Sequence, residues 1–316
     1  MRGILAAHAD WSIDARKRFV TVARRGARGW FVAAPVPVGD VGSFLARLRI
    51  AANGAPVALG VDLPVGLPRA YAAAHAAGDF PTFLRGLAAR PDFFQVCAAL
   101  EDVSPDRPFY PARGIKGMTR AAHAAALGLP DAAALSRACD CATAIRPAGA
   151  PLFWTLGANQ SGKAAIAAWR DMLVPALISG EPFDLWPFAG PFRALLAPGR
   201  VALAETYPAE ALRHLGLRVP GSKRRQTDRM AMAADLRAAM AALAVRPHRA
   251  MEIMIADGFG ADADGEDKFD SVLGALCVIN VLDGNRPDTT PDDLWLTHWE
   301  GWVLGQTELP VSAQNG

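Results

Sequence analysis

At 316 residues the chain is long enough to bury a full core as one large domain or two modest ones, and alanine supplies much of its 52% hydrophobic fraction. A formal charge of +2 excludes a molecule that attracts nucleic acid through its overall field, so such a partner requires a local basic patch. No apolar run approaches the roughly 18 residues of a membrane span, Met1–Asp10 lacks the pattern of a signal peptide, and Cys97, Cys139, Cys141 and Cys277 form no CxxC pair, which together predict reduced thiols, no membrane partner and a cytoplasmic protein.

Three closely spaced runs, Gly3–Ala9, Arg18–Ala23 and Gly29–Ala33, read as strands, and turn residues between them (Asp14, Arg24–Gly26) predict an antiparallel meander. Asp40–Ala52 carries helical periodicity with Phe44, Leu45 and Leu48 on one face. Pro56–Val61 is a short buried strand that stops at Asp62. Three strands, a helix and a strand in this order recur in the ribonuclease H fold, an analogy at the level of fold alone. From about Arg69 to Arg193 the chain is rich in Ala, Pro and aromatics and reads as a helical insertion, with Trp154, Trp169, Trp186 and Trp299 as packing residues. Val201–Ala204 is a fifth strand ending at Glu205, and Ala209–Leu215 a short helix. Ser222 is placed to cap a longer helix over Lys223–Leu243; a Gly/Asp loop at Gly258–Gly265 then leads into an apolar helix, Glu266–Leu282. The expected fold is therefore α/β: a ribonuclease-H-like mixed five-stranded sheet flanked by helices, built from residues 1–68 and 201–308. Residues 69–200 form a large helical insertion and residues 309–316 a tail.

Asp10, Asp62 and Glu205 each follow a short apolar strand directly. If those strands are parallel neighbours, their carboxyl ends open onto one crevice. Asp267 and Asp270, three residues apart at the start of the last helix, share a helix face. Gly274 lies one turn further on and lets that helix approach the sheet. Crowded carboxylates repel, and their pKa values rise unless a cation neutralises them. Mg²⁺ or Mn²⁺ suits such hard oxygen donors, and two such ions about 3.5–4 Å apart clamp a phosphoryl group undergoing attack by water.

Four blocks then resemble domain-of-unknown-function family 429, regarded as predicted nucleases with a ribonuclease H fold. They are His8-Ala9-Asp10-Trp11-Ser12, Gly60–Pro68, Glu205-Thr206-Tyr207-Pro208-Ala209 and Asp267-Lys268-Phe269-Asp270-Ser271, with Lys223, Arg229 and Gly301-Trp302 as further matches. The resemblance implies a metal site of Asp10, Asp62, Glu205 and Asp270, with Asp267 as an adjunct. Two departures are present: Glu266-Asp267 stands where two aspartates are usual, and Asp10-Trp11-Ser12 where a Gly-rich turn is common.

Lys223-Arg224-Arg225 with Arg229 is the densest basic cluster, and Lys223, Arg225 and Arg229 are candidate phosphate contacts beside the acids. Gly157–Lys163 fits most of a P-loop but lacks the Ser or Thr after Lys163 that would hold Mg²⁺; Lys163 is its candidate phosphate ligand, with Leu152–Leu156 as the strand such a loop requires. His8, two residues before Asp10, shares its strand face and is a candidate base, ligand or core histidine. The leading expectation is a Mg²⁺- or Mn²⁺-dependent nuclease or phosphodiesterase acting on nucleic acid or another phosphodiester. Its rivals are a phosphoryl-transfer or nucleotide-binding enzyme using Gly157–Lys163, and a non-catalytic protein of the same fold that binds nucleic acid or a partner.

Overall fold

In the computed structural model, which describes residues 3–114, 116–157 and 161–311, the first apolar run forms β1 (Leu5–Asp10), and every residue of it is buried. It is followed by β2 (Phe19–Gly26), β3 (Gly29–Val32), β4 (Val36–Pro37), α1 (Phe44–Ala52) and β5 (Val57–Val61). The middle of the chain carries α2 (Arg69–His75), α3 (Phe80–Gly86), α4 (Arg120–Ala126), α5 (Ser161–Ala168) and α6 (Val174–Ser179), with short 3-10 turns between them. Then come β6 (Phe183–Leu185), β7 (Val201–Glu205), α7 (Pro208–His214), α8 (Gln226–Ala231), α9 (Ala233–Ala242), β8 (Val245–Pro247), α10 (Arg249–Ala256) and α11 (Gly265–Leu282). No helix among the described residues is long and apolar enough to cross a membrane.

The chain divides into two units. The first comprises Met1–Asp62, Pro182–Thr289 and Val303–Gln306. It is α/β, with a mixed sheet of eight strands in the order β6-β7-β5-β1-β2-β3-β8, β4 pairing with β2. β1–β2–β3 is the antiparallel meander read from the turns, while β1, β5, β7 and β6 run parallel to one another. β1, β5 and β7 are buried at every position, which is why each reads as a near-continuous apolar run. The sheet has eight strands where sequence gives five, because β4, β6 and β8 are two or three residues long, too short to show a period. β6 also places residues 182–200 with the sheet, whereas the sequence reading assigns them to the insertion.

α11 packs across β1, β2 and β5 and against α7. Every residue from Phe269 to Leu282 is buried, as expected of a helix apolar all round. It lies close on the sheet at Gly274, where an added Cβ would lie 2.2 Å from the ring of His8 on β1. The glycine is there because the imidazole occupies the space a side chain would take.

The helix expected over Lys223–Leu243 begins later and is broken. Ser222 Oγ accepts from the Arg224 N–H at 3.3 Å, a local turn, while its own N–H is taken by Asp228 Oδ2 at 2.7 Å. Arg225 remains extended (φ −92°, ψ 126°) and is the residue that precedes α8. Lys223 therefore sits on a turn with its side chain free of helical register.

The second unit comprises Leu63–Glu181, Thr290–Trp302 and Thr307–Gly316 and is helical, α2 to α6, with a π-turn at Trp169–Leu173 joining the last two. Tyr71, Phe83, Phe93, Phe109 and Phe153 fill its centre, largely edge to face. A fully buried Arg137 pairs with Asp140 at 2.9 Å, and Arg69 binds Glu300 through two nitrogens. Trp154, Trp169 and Trp299 are buried here, and Trp186 is buried in the first unit.

Candidate metal centre

β1 and β5 are parallel neighbours in the register Ala9↔Val61, and the Asp62 N–H donates to the Ala9 carbonyl at 3.1 Å. Asp10 and Asp62, the next residues along, leave the sheet at the same edge. α11, held close by Gly274, brings the face bearing Asp267 and Asp270 to that edge. Asp10 is 7% exposed and Asp270 8%. No described residue donates a hydrogen bond to the carboxylate of Asp10 or of Asp62. A buried carboxylate with no donor is an expensive arrangement, which a cation relieves.

The electrostatics report the same crowding. Burial, then the charges of Asp270, Asp62 and Asp267, hold the Asp10 carboxyl well above the usual carboxylate range, against the opposing pull of Lys223. Burial and then Asp270 push Asp62 up to about 7, again opposed by Lys223. Asp267 rises to about 6 through burial, which outweighs Lys17, with Asp270, Glu266 and Asp264 adding repulsion. Burial also raises Asp270, although the ammonium of Lys223 lies 2.8 and 2.5 Å from its two oxygens. Lys223 itself is held above its ordinary pKa: burial works against its charge, but Asp270 outweighs that, helped by Glu266 and Asp62. The donor set is entirely carboxylate oxygen, and it already draws in the ammonium of Lys223. By chemistry this donor set suits a hard divalent cation, with Asp267 at the margin, although Asp10, Asp62 and Asp270 do not yet bring three ligand atoms within 4.8 Å of one another, so a cation would have to draw them together.

The remaining sequence-derived candidates lie elsewhere. Glu205 ends β7 in register with Val61, so its side chain leaves the sheet on the face opposite to Asp10 and Asp62. Its charge reaches Asp62 only as the smallest of that group's influences. The structure therefore does not bring Glu205 to the aspartates as a fourth ligand. Arg229, read as a phosphate contact, is 2% exposed and donates to the carbonyls of Gly258 (2.7 Å), Gly260 (2.6 Å) and Lys223, so it ties down backbone instead. Arg225 is exposed and bonded to Asp228 at 2.7 Å. Lys163 lies within α5 of the second unit. Of the Gly157–Lys163 loop, Ala158, Asn159 and Gln160 fall outside the described residues, and Leu152–Leu156 forms a turn with one isolated bridge, Tyr110↔Trp154, in place of the strand a P-loop needs. His8 is buried, its pKa pushed down to about 3 by desolvation, so it is a neutral imidazole wedged under α11.

Two features of the site escape sequence reasoning. Lys223, read from the sequence as a phosphate contact beside the acids, is instead ion-paired with Asp270, a contact across 47 residues of chain that no local pattern signals. The basic residue at its rim is Arg224, 3.6 Å from Glu266 at the start of α11, and not Arg225. Comparison of the chain with protein-family models, with curated proteins and with solved structures found no match.

Proposed function

We propose that this protein is a divalent-metal-dependent phosphodiester hydrolase with a ribonuclease-H-like core. The observation that carries the proposal is the Asp10 carboxylate, nine-tenths buried, without a hydrogen-bond donor and within electrostatic reach of Asp270, Asp62 and Asp267. The meander β1–β2–β3, followed by a helix and the parallel strand β5, supports the ribonuclease-H-like reading. Asp10, Asp62 and Asp270 would hold Mg²⁺ or Mn²⁺, which when bound supplies Lewis acidity toward a phosphoryl oxygen and activates the attacking water. Asp267, half-buried beside them, would accept a proton at the mouth of the site, a role its raised pKa supports. Lys223 and the exposed Arg224 give the rim its positive charge, the local patch that a protein of net charge +2 needs in order to hold a phosphodiester.

The test is cleavage of labelled single- and double-stranded DNA and RNA oligonucleotides with Mg²⁺ or Mn²⁺, comparing the parent with Asp62→Asn. Metal-dependent cleavage by the parent and a loss on the order of 100-fold or more in the variant are expected. A variant that cleaves as fast as the parent would end the proposal, and Mn²⁺ binding without cleavage of any of these substrates would leave a metal-binding protein in place of a nuclease.

A further inference from the structure

Lys223 is the one member of the cluster whose position sets a problem for a metal. Its ammonium spans both oxygens of Asp270 at 2.8 and 2.5 Å. A divalent cation bound to the same carboxylate would stand beside that ammonium, with little solvent between to screen the repulsion. A cation taking either oxygen therefore competes with the ammonium for that carboxylate.

The backbone beneath Lys223 is held independently of the ion pair its side chain makes. The guanidinium of Arg229 donates to the Lys223 carbonyl and to the carbonyls of Gly258 and Gly260, pinning the turn to the loop that leads into α11. The side chain leaves from a turn, outside α8, and among the described residues its ammonium is held at its tip by Asp270 alone. The residue is thus an anchored swing arm at the edge of the acids. Asp10, nine-tenths buried and without a donor, shows independently that the cluster still lacks positive charge with the lysine in place.

We propose that Lys223 is a displaceable counter-ion: it neutralises Asp270 while the centre lacks metal, and a divalent cation, binding first, drives its ammonium off that carboxylate and onto a phosphate oxygen of the substrate. This rests on the metal-centre reading above and adds an order to it. Metal precedes the phosphodiester, because only the metal makes the lysine available. Lys223 is then a positioning residue coupling metal occupancy to anion binding, so its removal moves the two affinities in opposite directions. A merely structural salt bridge would not do so.

The experiment titrates Mn²⁺ calorimetrically into chelator-treated full-length protein, the parent beside Lys223→Met and Lys223→Gln. It then titrates inorganic phosphate into the Mn²⁺-saturated proteins. Both variants are expected to bind Mn²⁺ about tenfold or more tighter than the parent, and phosphate about tenfold more weakly. On the parent alone, which requires no variant to fold, Mg²⁺ is expected to raise acylation of Lys223 by acetic anhydride several-fold while leaving Lys163 unchanged. Unchanged or weaker Mn²⁺ binding in the variants, or acylation of Lys223 indifferent to Mg²⁺, overturns the inference while the metal centre stands. A parent that takes up no Mn²⁺ removes the metal centre itself.

Discussion

Asp10 concentrates the chemistry of the site in a single side chain. A carboxylate that is 7% exposed must be protonated, hydrogen-bonded or paired, and Asp10 has neither a donor nor a cation of its own. Ionising the cluster without a cation sets like charges against one another in a buried site, which is why these carboxyls hold their protons above the usual carboxylate range. Asp10→Asn removes one ionisable carboxyl and keeps the shape. Its melting temperature in EDTA is expected to equal or exceed that of the parent, and the stabilisation the parent gains from Mn²⁺ to be lost. Differential scanning calorimetry with and without Mn²⁺ reads both, and a variant that melts well below the parent in EDTA while keeping its Mn²⁺ shift contradicts a repulsive, metal-binding cluster. Lys223 and Arg229 show how differently two members of one basic run behave: one ammonium is drawn into the acids, while the neighbouring guanidinium disappears into backbone carbonyls.

α11 delivers Asp267 and Asp270 by lying close on β1, and the contact that permits this is Gly274 against His8. A methyl group 2.2 Å from the imidazole is impossible without movement, and the ring is enclosed on every side. Gly274→Ala is therefore expected to cost about 1–3 kcal/mol by urea denaturation, the range for overpacking, and to weaken Mn²⁺ binding as the start of α11 lifts from the sheet. His8→Ala in the same chain makes room for the methyl and is expected to restore Mn²⁺ affinity; a double variant that binds metal no better than Gly274→Ala alone would show that the helix–sheet distance does not govern the site. Much of this element was legible in the sequence: the i,i+3 aspartates, the glycine one turn on, and the apolar run behind them. Glu205 was not legible, because an acid at a strand end does not state its register. One residue of offset turns a side chain to the other face, and β7 pairs Glu205 with Val61 where the site needs a partner for Asp62. The broken start of α8 was hidden for a similar reason: Ser222 looks like a cap until Asp228 takes its N–H.

All of the clustered acids belong to the first unit, although the chain leaves that unit after Asp62 and returns only at Pro182. Their titration should therefore appear in the stability of the whole molecule. Asp62 is raised to about 7 and Asp267 to about 6, so each binds its proton more tightly in the folded protein than in the unfolded chain, where an aspartyl group titrates near 3.9. Their contribution to stability is complete below about pH 4 and is lost as the pH climbs through 6 and then 7. A divalent cation reverses the trend, because it competes with those protons and binds more tightly as they leave. Other groups titrate over the same range, so the informative quantity is the difference between the parent and an Asp62→Asn, Asp267→Asn double variant. In EDTA, urea unfolding from pH 4 to 8 is expected to show the parent losing stability relative to the double variant, with the change falling between about pH 4 and 7 and steepest below pH 6. With saturating Mn²⁺ that relative loss should vanish or change sign. Parallel curves in EDTA across the whole range would mean that the two carboxylates ionise as ordinary surface groups do, and a site of ordinary surface carboxylates has no need of a cation.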